Sequence, residues 1–218
     1  MRNAIIEIVK QEKLVVIVRG VYGQDCLKLA NALYDGGIRL MEVTFDPSDP
    51  EAQYKTADTI RQIDQAMRGK MILGAGTVLT VPMLEQAYRA GAKFIVSPDI
   101  NPEIIAATVE KGMVSMPGAL TPTEIVTAYR WGADFVKVFP AANLGTAYIK
   151  AVTAPLCHIP LLAVGGVNER NIGEFIKSGA CGAGVGGNLV NKAWIANGEF
   201  DKITTLAKEY VQNAKGFG

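Results

Sequence analysis

The chain has 218 residues, 49% of them apolar and 20% charged, and its formal net charge is +1. These are the proportions of an ordinary globular protein, and without a basic run they argue against a nucleic-acid or anionic-membrane partner. No apolar run reaches membrane-spanning length, Met1 to Lys13 is amphipathic with no signal-peptide core, and three cysteines without a CxxC pair point to a reducing, cytoplasmic setting.

Apolar strand-like runs alternate with amphipathic helix-like runs along the chain. A helix near Asn3–Gln11 precedes a first strand at Leu14–Val18. A helix at Gln24–Tyr34 leads to the second strand, Leu40–Phe45, and Pro50–Met67 reads as a long helix with a polar face. Met71–Ala75 is the third strand and Val81–Tyr88 its helix. Phe94–Ser97 and Pro102–Glu110 form the fourth pair, Met113–Met116 and Thr123–Trp131 the fifth. Phe135–Phe139 is the sixth strand, followed by a helix at Ala147–Val152. Pro160–Val164 and Ile172–Lys177 come seventh. The glycine-rich Gly182–Val185 is eighth, and helices at Lys192–Ile195 and Lys202–Ala214 follow it.

Glycine ends the helix just before the next strand at Gly37, Gly91, Gly112, Gly132 and Gly179. A left-handed helix cap favours glycine, so this is a C-cap repeated at βα spacing. No linker or low-complexity segment interrupts the series, and residues 1–218 read as one domain. Eight βα units in this length predict an α/β fold, a (β/α)8 TIM barrel with an N-terminal helix. An open doubly wound sheet would want a GxGxxG fingerprint after the first strand, and Arg19-Gly20-Val21-Tyr22-Gly23 is not one.

In such a barrel the chemistry sits at the C-terminal ends of the strands. Phe135, Lys137 and Phe139 share one face of the sixth strand by the period of two. Desolvation lowers a lysine pKa, and a partly neutral amine attacks ketones. A lysine in this setting also snorkels from a strand end or pairs with a carboxylate. Glu42 lies mid-strand among apolar residues, where a carboxylate is costly unless paired. Alternate strands build each barrel layer, so Glu42 and Lys137 are placed to meet. The carboxylate then either shuttles protons for imine chemistry or forms a structural ion pair. Gly74-Ala75-Gly76-Thr77 ends the third strand, either as a ligand-contacting turn or as a tight βα turn with a capping threonine. Gly165-Gly166 after the seventh strand and Gly186-Gly187 after the eighth have the position of a barrel phosphate cradle. Arg19 ends the first strand and is either a bidentate carboxylate ligand or a surface residue. The single histidine, His158, sits in a loop, so a zinc site or a Ser-His-Asp triad has almost no material. Trp131 and Trp194 fit helix packing.

Glu42-Val43-Thr44, Gly74-Ala75-Gly76-Thr77-Val78, Ser97-Pro98, Met116-Pro117-Gly118, Lys137-Val138-Phe139-Pro140-Ala141, Gly165-Gly166-Val167 and Gly184-Val185-Gly186 occur in that order. Together they resemble the class I family of 2-keto-3-deoxy-6-phosphogluconate and 4-hydroxy-2-oxoglutarate aldolases, over nearly the whole chain. The resemblance implies a (β/α)8 barrel, a homotrimer, and cleavage of a 2-keto-4-hydroxy acid to pyruvate and an aldehyde with no metal or cofactor. It implies that Lys137 is the Schiff-base lysine and Glu42 the acid/base. Thr77, Pro98 and Phe139 would line the pyruvate pocket, and the glycine loops would hold a phosphate. Three positions depart from the family pattern. Phe45-Asp46 replaces a Leu-Arg whose arginine holds a carboxylate, so Arg19 is the substitute. Ala163-Val164 replaces Pro-Thr, as in the branch acting on the galactonate epimer. Gly187 replaces a serine. These leave the pyruvate chemistry intact and bear on the aldehyde half. Two rival expectations are a barrel that binds keto acids or phosphate without turnover and a sugar-phosphate isomerase or synthase.

Overall fold

The computed structural model describes residues 1–216. Nine parallel strand segments form one sheet: β1 (Leu14–Val18), β2 (Leu40–Thr44), β3 (Ile72–Gly76), β4 (Phe94–Val96), β5 (Val114–Met116), β6 (Gly118–Ala119), β7 (Val136–Val138), β8 (Leu161–Val164) and β9 (Gly182–Val185). The hydrogen-bonded order is β5-β4-β3-β2-β1-β9-β8-β7-β6. β5 is the expected fifth strand, and β6 continues it beyond the expected end at Met116, after a break at Pro117, which has no N–H to give to a ladder. The barrel closes across this break. Phe135 N donates to Ser115 O at 3.2 Å, Lys137 N to Pro117 O at 2.9 Å and Phe139 N to Ala119 O at 3.1 Å. The (β/α)8 barrel is therefore present, with its fifth strand in two pieces.

Helices α2 (Gly23–Asp35), α3 (Pro50–Ala66), α4 (Val81–Ala90), α5 (Pro102–Glu110), α6 (Pro122–Arg130), α7 (Ala141–Thr153) and α8 (Ile172–Lys177) connect the strands, and α9 (Lys192–Ala196) and α10 (Phe200–Lys215) follow β9. Their starts are written locally. Asn101 and Thr121 accept backbone N–H groups of the first turn and are each followed by proline, and Thr121 with Glu124 completes a capping box. The ends obey the glycine rule: Gly37, Gly91, Gly112, Gly132 and Gly179 all have positive φ. At each, the glycine N–H and the next N–H turn back onto the last helical turn, as Gly91 N to Tyr88 O at 3.0 Å and Ala92 N to Ala87 O at 3.0 Å. The expected helix at Ala147–Val152 is longer. It begins at Ala141 and is kinked at Gly145, whose φ of 76° and ψ of 176° are not helical.

The main core lies between the strands and the helices. A second cluster fills the barrel itself, with Val15, Leu40, Phe94, Val114, Phe135 and Leu162 packed inward. Gly74 makes room there, because a Cβ on it would lie 2.2 Å from the Phe94 ring. Helix α1 (Arg2–Glu12) closes the N-terminal mouth by adding Ile5 and Val9 to this cluster. It is pinned by Arg2, whose Nε and Nη2 donate to Asp134 at 3.1 and 2.9 Å. With that end plugged, access to the interior is from the C-terminal ends of the strands. No helix is long and apolar enough to cross a membrane among the described residues.

Candidate active site

Strand alternation on β7 turns Phe135 into the barrel core and Lys137 into a cavity of 680 Å³ at the C-terminal mouth. Lys137 is 8% exposed, and its Nζ lies 4.8 Å from the centroid of the Phe139 ring. Burial lowers its pKa; the Glu42 carboxyl opposes this shift, and the Arg19 charge adds to it. Glu42, on β2, lines the same cavity and is 2% exposed. Burial pushes its pKa up to about 7, against the pull of Lys137 and Arg19. Its Oε2 has no hydrogen-bond partner among the described residues. Beneath both groups the floor is apolar, made by Val15, Val96, Met116 and Leu162. That floor is the physical source of both shifts.

The expected meeting of Glu42 and Lys137 takes a looser form than an ion pair. They share one cavity and feel each other's charge, yet no hydrogen bond or salt bridge joins them among the described residues. Space for the carboxyl comes from β3: a Cβ on Gly76 would stand 2.3 Å from Glu42 Oε1. The glycines before Thr77 thus serve the barrel interior, Gly74 for Phe94 and Gly76 for Glu42.

The other expected residues, Arg19, Thr77, Pro98, Phe139, Val164, Gly165, Gly166, Gly186 and Gly187, all line this cavity. Arg19 Nη2 donates to Thr77 Oγ1 at 2.8 Å, which orients the guanidinium at the mouth. Thr77 itself holds a left-handed backbone, with φ 56°. Asp46 does not line the cavity, although the Arg19 charge reaches its carboxyl. Its Oδ1 accepts from Ser48 N at 3.0 Å and Ser48 Oγ at 2.6 Å, bonds that hold its carboxyl below the usual range. Phe139 forms an exposed wall and packs on Gly165, where a Cβ would come within 3.1 Å of the ring. Val164 is 5% exposed and presents its methyl groups to the cavity next to Gly184. His158 is exposed, as expected, and touches Tyr129 edge-on. Trp194 packs against the core, but Trp131 does not: it is 44% exposed at the end of α6.

Sequence reasoning did not single out several polar residues around the site. Asn168, Glu169 and Asn188 line the cavity from the loops after β8 and β9, and Asn188 bonds to Tyr210 of α10. Polar residues inside glycine loops were the available signal.

This arrangement supplies a desolvated amine, a carboxyl that exchanges its proton near neutrality, and a cation at the mouth, which is equipment for imine chemistry on a keto acid. The family model for KDPG and KHG aldolase matches residues 5–206. The chain is 36% identical over 212 residues to the 2-dehydro-3-deoxy-phosphogluconate aldolase of Treponema pallidum, covering 95% of this chain and 96% of that one. It is 36% identical over 198 residues to the 2-dehydro-3-deoxy-6-phosphogalactonate aldolase of Escherichia coli, covering 90% and 94%. A solved KDPG aldolase from Legionella pneumophila, with pyruvate captured at low pH as a covalent carbinolamine, superimposes with a TM-score of 0.81 at 26% identity, covering 95% of this chain and 97% of that one. With the match running from α1 into α10, the chain belongs to the KDPG and KHG aldolase family.

Proposed function

We propose that the chain is a class I aldolase that cleaves a 2-keto-4-hydroxy acid to pyruvate and an aldehyde, with Lys137 as nucleophile and Glu42 as proton shuttle. The observation that carries this reading is the pair itself. An amine and a carboxyl, both buried and both shifted toward their neutral forms, open on one cavity. The covalent carbinolamine in the Legionella relative supports the same chemistry.

The cycle runs in balanced steps. Neutral Lys137 adds to the C2 ketone to give a carbinolamine. Protonated Glu42 gives its proton to the departing hydroxyl, water leaves, and an iminium remains. The Glu42 carboxylate then takes the C4 hydroxyl proton. The C3–C4 bond breaks, the aldehyde departs, and the bonding pair passes into the iminium to give an enamine. Protonation at C3 and hydrolysis release pyruvate and restore the amine.

Arg19, oriented by Thr77, is suited to the substrate carboxylate. Thr77, Pro98 and Phe139 flank the keto acid, and Val164 faces the C4 hydroxyl. Gly165, Gly166, Gly186 and Gly187 take the aldehyde half, including a phosphate where there is one. Candidate substrates are 2-keto-3-deoxy-6-phosphogluconate, its galactonate epimer and 4-hydroxy-2-oxoglutarate, with glyceraldehyde 3-phosphate or glyoxylate as the aldehyde. The equal identity to gluconate-named and galactonate-named relatives favours neither epimer. The proposed assembly is a homotrimer, in keeping with the exposed aromatic residues at the end of α6.

Borohydride added with pyruvate tests the nucleophile. A reduced pyruvyl adduct is expected on the peptide containing Lys137 and absent in Lys137→Ala. An adduct on another lysine, or none at all, would sink the assignment.

A further inference from the structure

The loops after β8 and β9 carry the glycines assigned to the aldehyde half. Such loops need bracing, because glycine leaves their backbones free. Gly187 has φ 40°, and among the described residues nothing lies within 4 Å of where its Cβ would be, so their packing does not hold it on that side. Side-chain bonds tie both loops down. Asn188 Nδ2 donates to Glu169 Oε2 at 2.6 Å and joins the two loops directly. Tyr210 OH donates to Asn188 Oδ1 at 2.6 Å, and Asn213 Nδ2 donates to Glu169 O at 2.9 Å. Tyr210 and Asn213 both belong to α10, so one helix grips each loop and the Asn188–Glu169 bond closes the ring.

The amide orientation follows from the partners. A carboxylate only accepts, so it selects the Asn188 nitrogen and leaves Oδ1 to the phenol. Tyr210 is fully buried, and burial with the nearby Glu169 charge pushes its pKa up to about 12, so it remains a donor. Arg170 Nε, 3.3 Å from Glu169 Oε1, offsets the charge from the solvent side.

We propose that Glu169, Asn188 and Tyr210 are positioning residues. They set the separation of the two glycine loops and hence where the remote group of the aldehyde half is held. The proposal rests on the aldolase reading above. It separates the two ends of the site: the Lys137 and Glu42 end performs all chemistry on the pyruvate half without the brace.

Three variants test this: Asn188→Ala, Tyr210→Phe and Glu169→Gln. Two quantities are read. One is KM and kcat for whichever phosphorylated epimer the wild type cleaves. The other is deuterium exchange at the pyruvate methyl group, which needs only the imine and its enamine. Asn188→Ala should raise KM about tenfold, and Tyr210→Phe, which keeps the ring and removes only the hydroxyl, about threefold. Pyruvate exchange should stay at the wild-type rate in both. Glu169→Gln still presents an oxygen to Asn188, so its KM should rise less than that of Asn188→Ala. An unmoved KM in Asn188→Ala and Tyr210→Phe would overturn the proposal. So would exchange falling in step with KM, or Glu169→Gln behaving like the loss of the bond. Absence of exchange in the wild type would instead overturn the aldolase reading.

Discussion

A carboxyl that is 2% exposed with one oxygen unpartnered costs stability, and Glu42 is that group. Its pKa stands at about 7 against an ordinary 4.5. A raised carboxyl pKa means the folded chain keeps a proton that the unfolded chain has lost. The ionisable part of the cost is therefore absent below the unfolded pKa, and it grows until pH passes the folded value. Glu42→Gln keeps the shape and never ionises. It should stabilise the fold more at pH 8 than at pH 5, by roughly 2 kcal/mol, read from denaturant midpoints. An equal effect at both pH values would mean that the carboxyl ionises as it does in water. The same variant should lose roughly 10²–10⁴ in turnover; normal turnover would leave Glu42 a structural neighbour of Lys137. Val164 tests the other half of the substrate. It presents methyl groups to the cavity where a threonine of nearly the same shape would offer a hydroxyl. One net hydrogen bond is worth about threefold to tenfold. Wild type should discriminate weakly between the gluconate and galactonate epimers, or tilt toward galactonate, and Val164→Thr should move the kcat/KM ratio toward gluconate. A strong wild-type gluconate preference that the substitution leaves alone would remove Val164 from substrate reading.

At the scale of elements, the repeated glycine caps carry both a prediction and an explanation of what the sequence reveals. Gly112 has φ 69° with nothing within 4 Å of a built Cβ, whereas at Gly179, with φ 111°, a Cβ would meet Thr153 Oγ1 at 2.6 Å. Gly112→Ala should cost only the left-handed backbone term, about 1–2 kcal/mol. Gly179→Ala should cost more, because Thr153 Oγ1 is itself bonded to Ile149 O at 2.8 Å and cannot simply turn aside. Equal losses in two urea titrations would show that Thr153 yields freely. These caps were legible because a left-handed helix end selects glycine from local sterics alone. Strand identity and the inward face of Lys137 were legible for the same local reason, the period of two. The split of the fifth strand was readable only in part: Pro117 is visible, but the hydrogen bonds that carry the ladder past it come from β7. The first turns of α7 were hidden by Gly145, whose non-helical backbone interrupts the pattern. The distance kept between Glu42 and Lys137 and the bond from Asn188 to Glu169 arise between segments with no shared periodicity, so neither leaves a mark on one strand or one helix.

For the whole molecule, α1 plugs one end of the barrel and the cavity opens at the other, so the proposed trimer is expected to form through the flanks. On the α6 flank Tyr129 is 39% and Trp131 44% exposed, large apolar side chains that water solvates poorly. Leu120, just before α6, is exposed as well. A threefold ring joins one face of each copy to a different face of the next, so a single substitution on this flank strikes all three contacts at once. Trp131→Glu places a charge where a contact would have to be dry, and a buried unpaired charge is costly. Wild type should sediment with three times the 23.3 kDa mass of the chain. Trp131→Glu should sediment as a single chain at the same concentration. The cavity is lined from one copy by residues on β1 to β4 and β7 to β9 and the loops that follow them, and none of these lining residues belongs to α6. Pyruvate exchange should therefore survive in the dissociated variant. A wild type that sediments as one chain would refute the trimer. A variant that stays trimeric would move the interface off α6. A monomer that has lost exchange would show that the neighbouring copy completes the site.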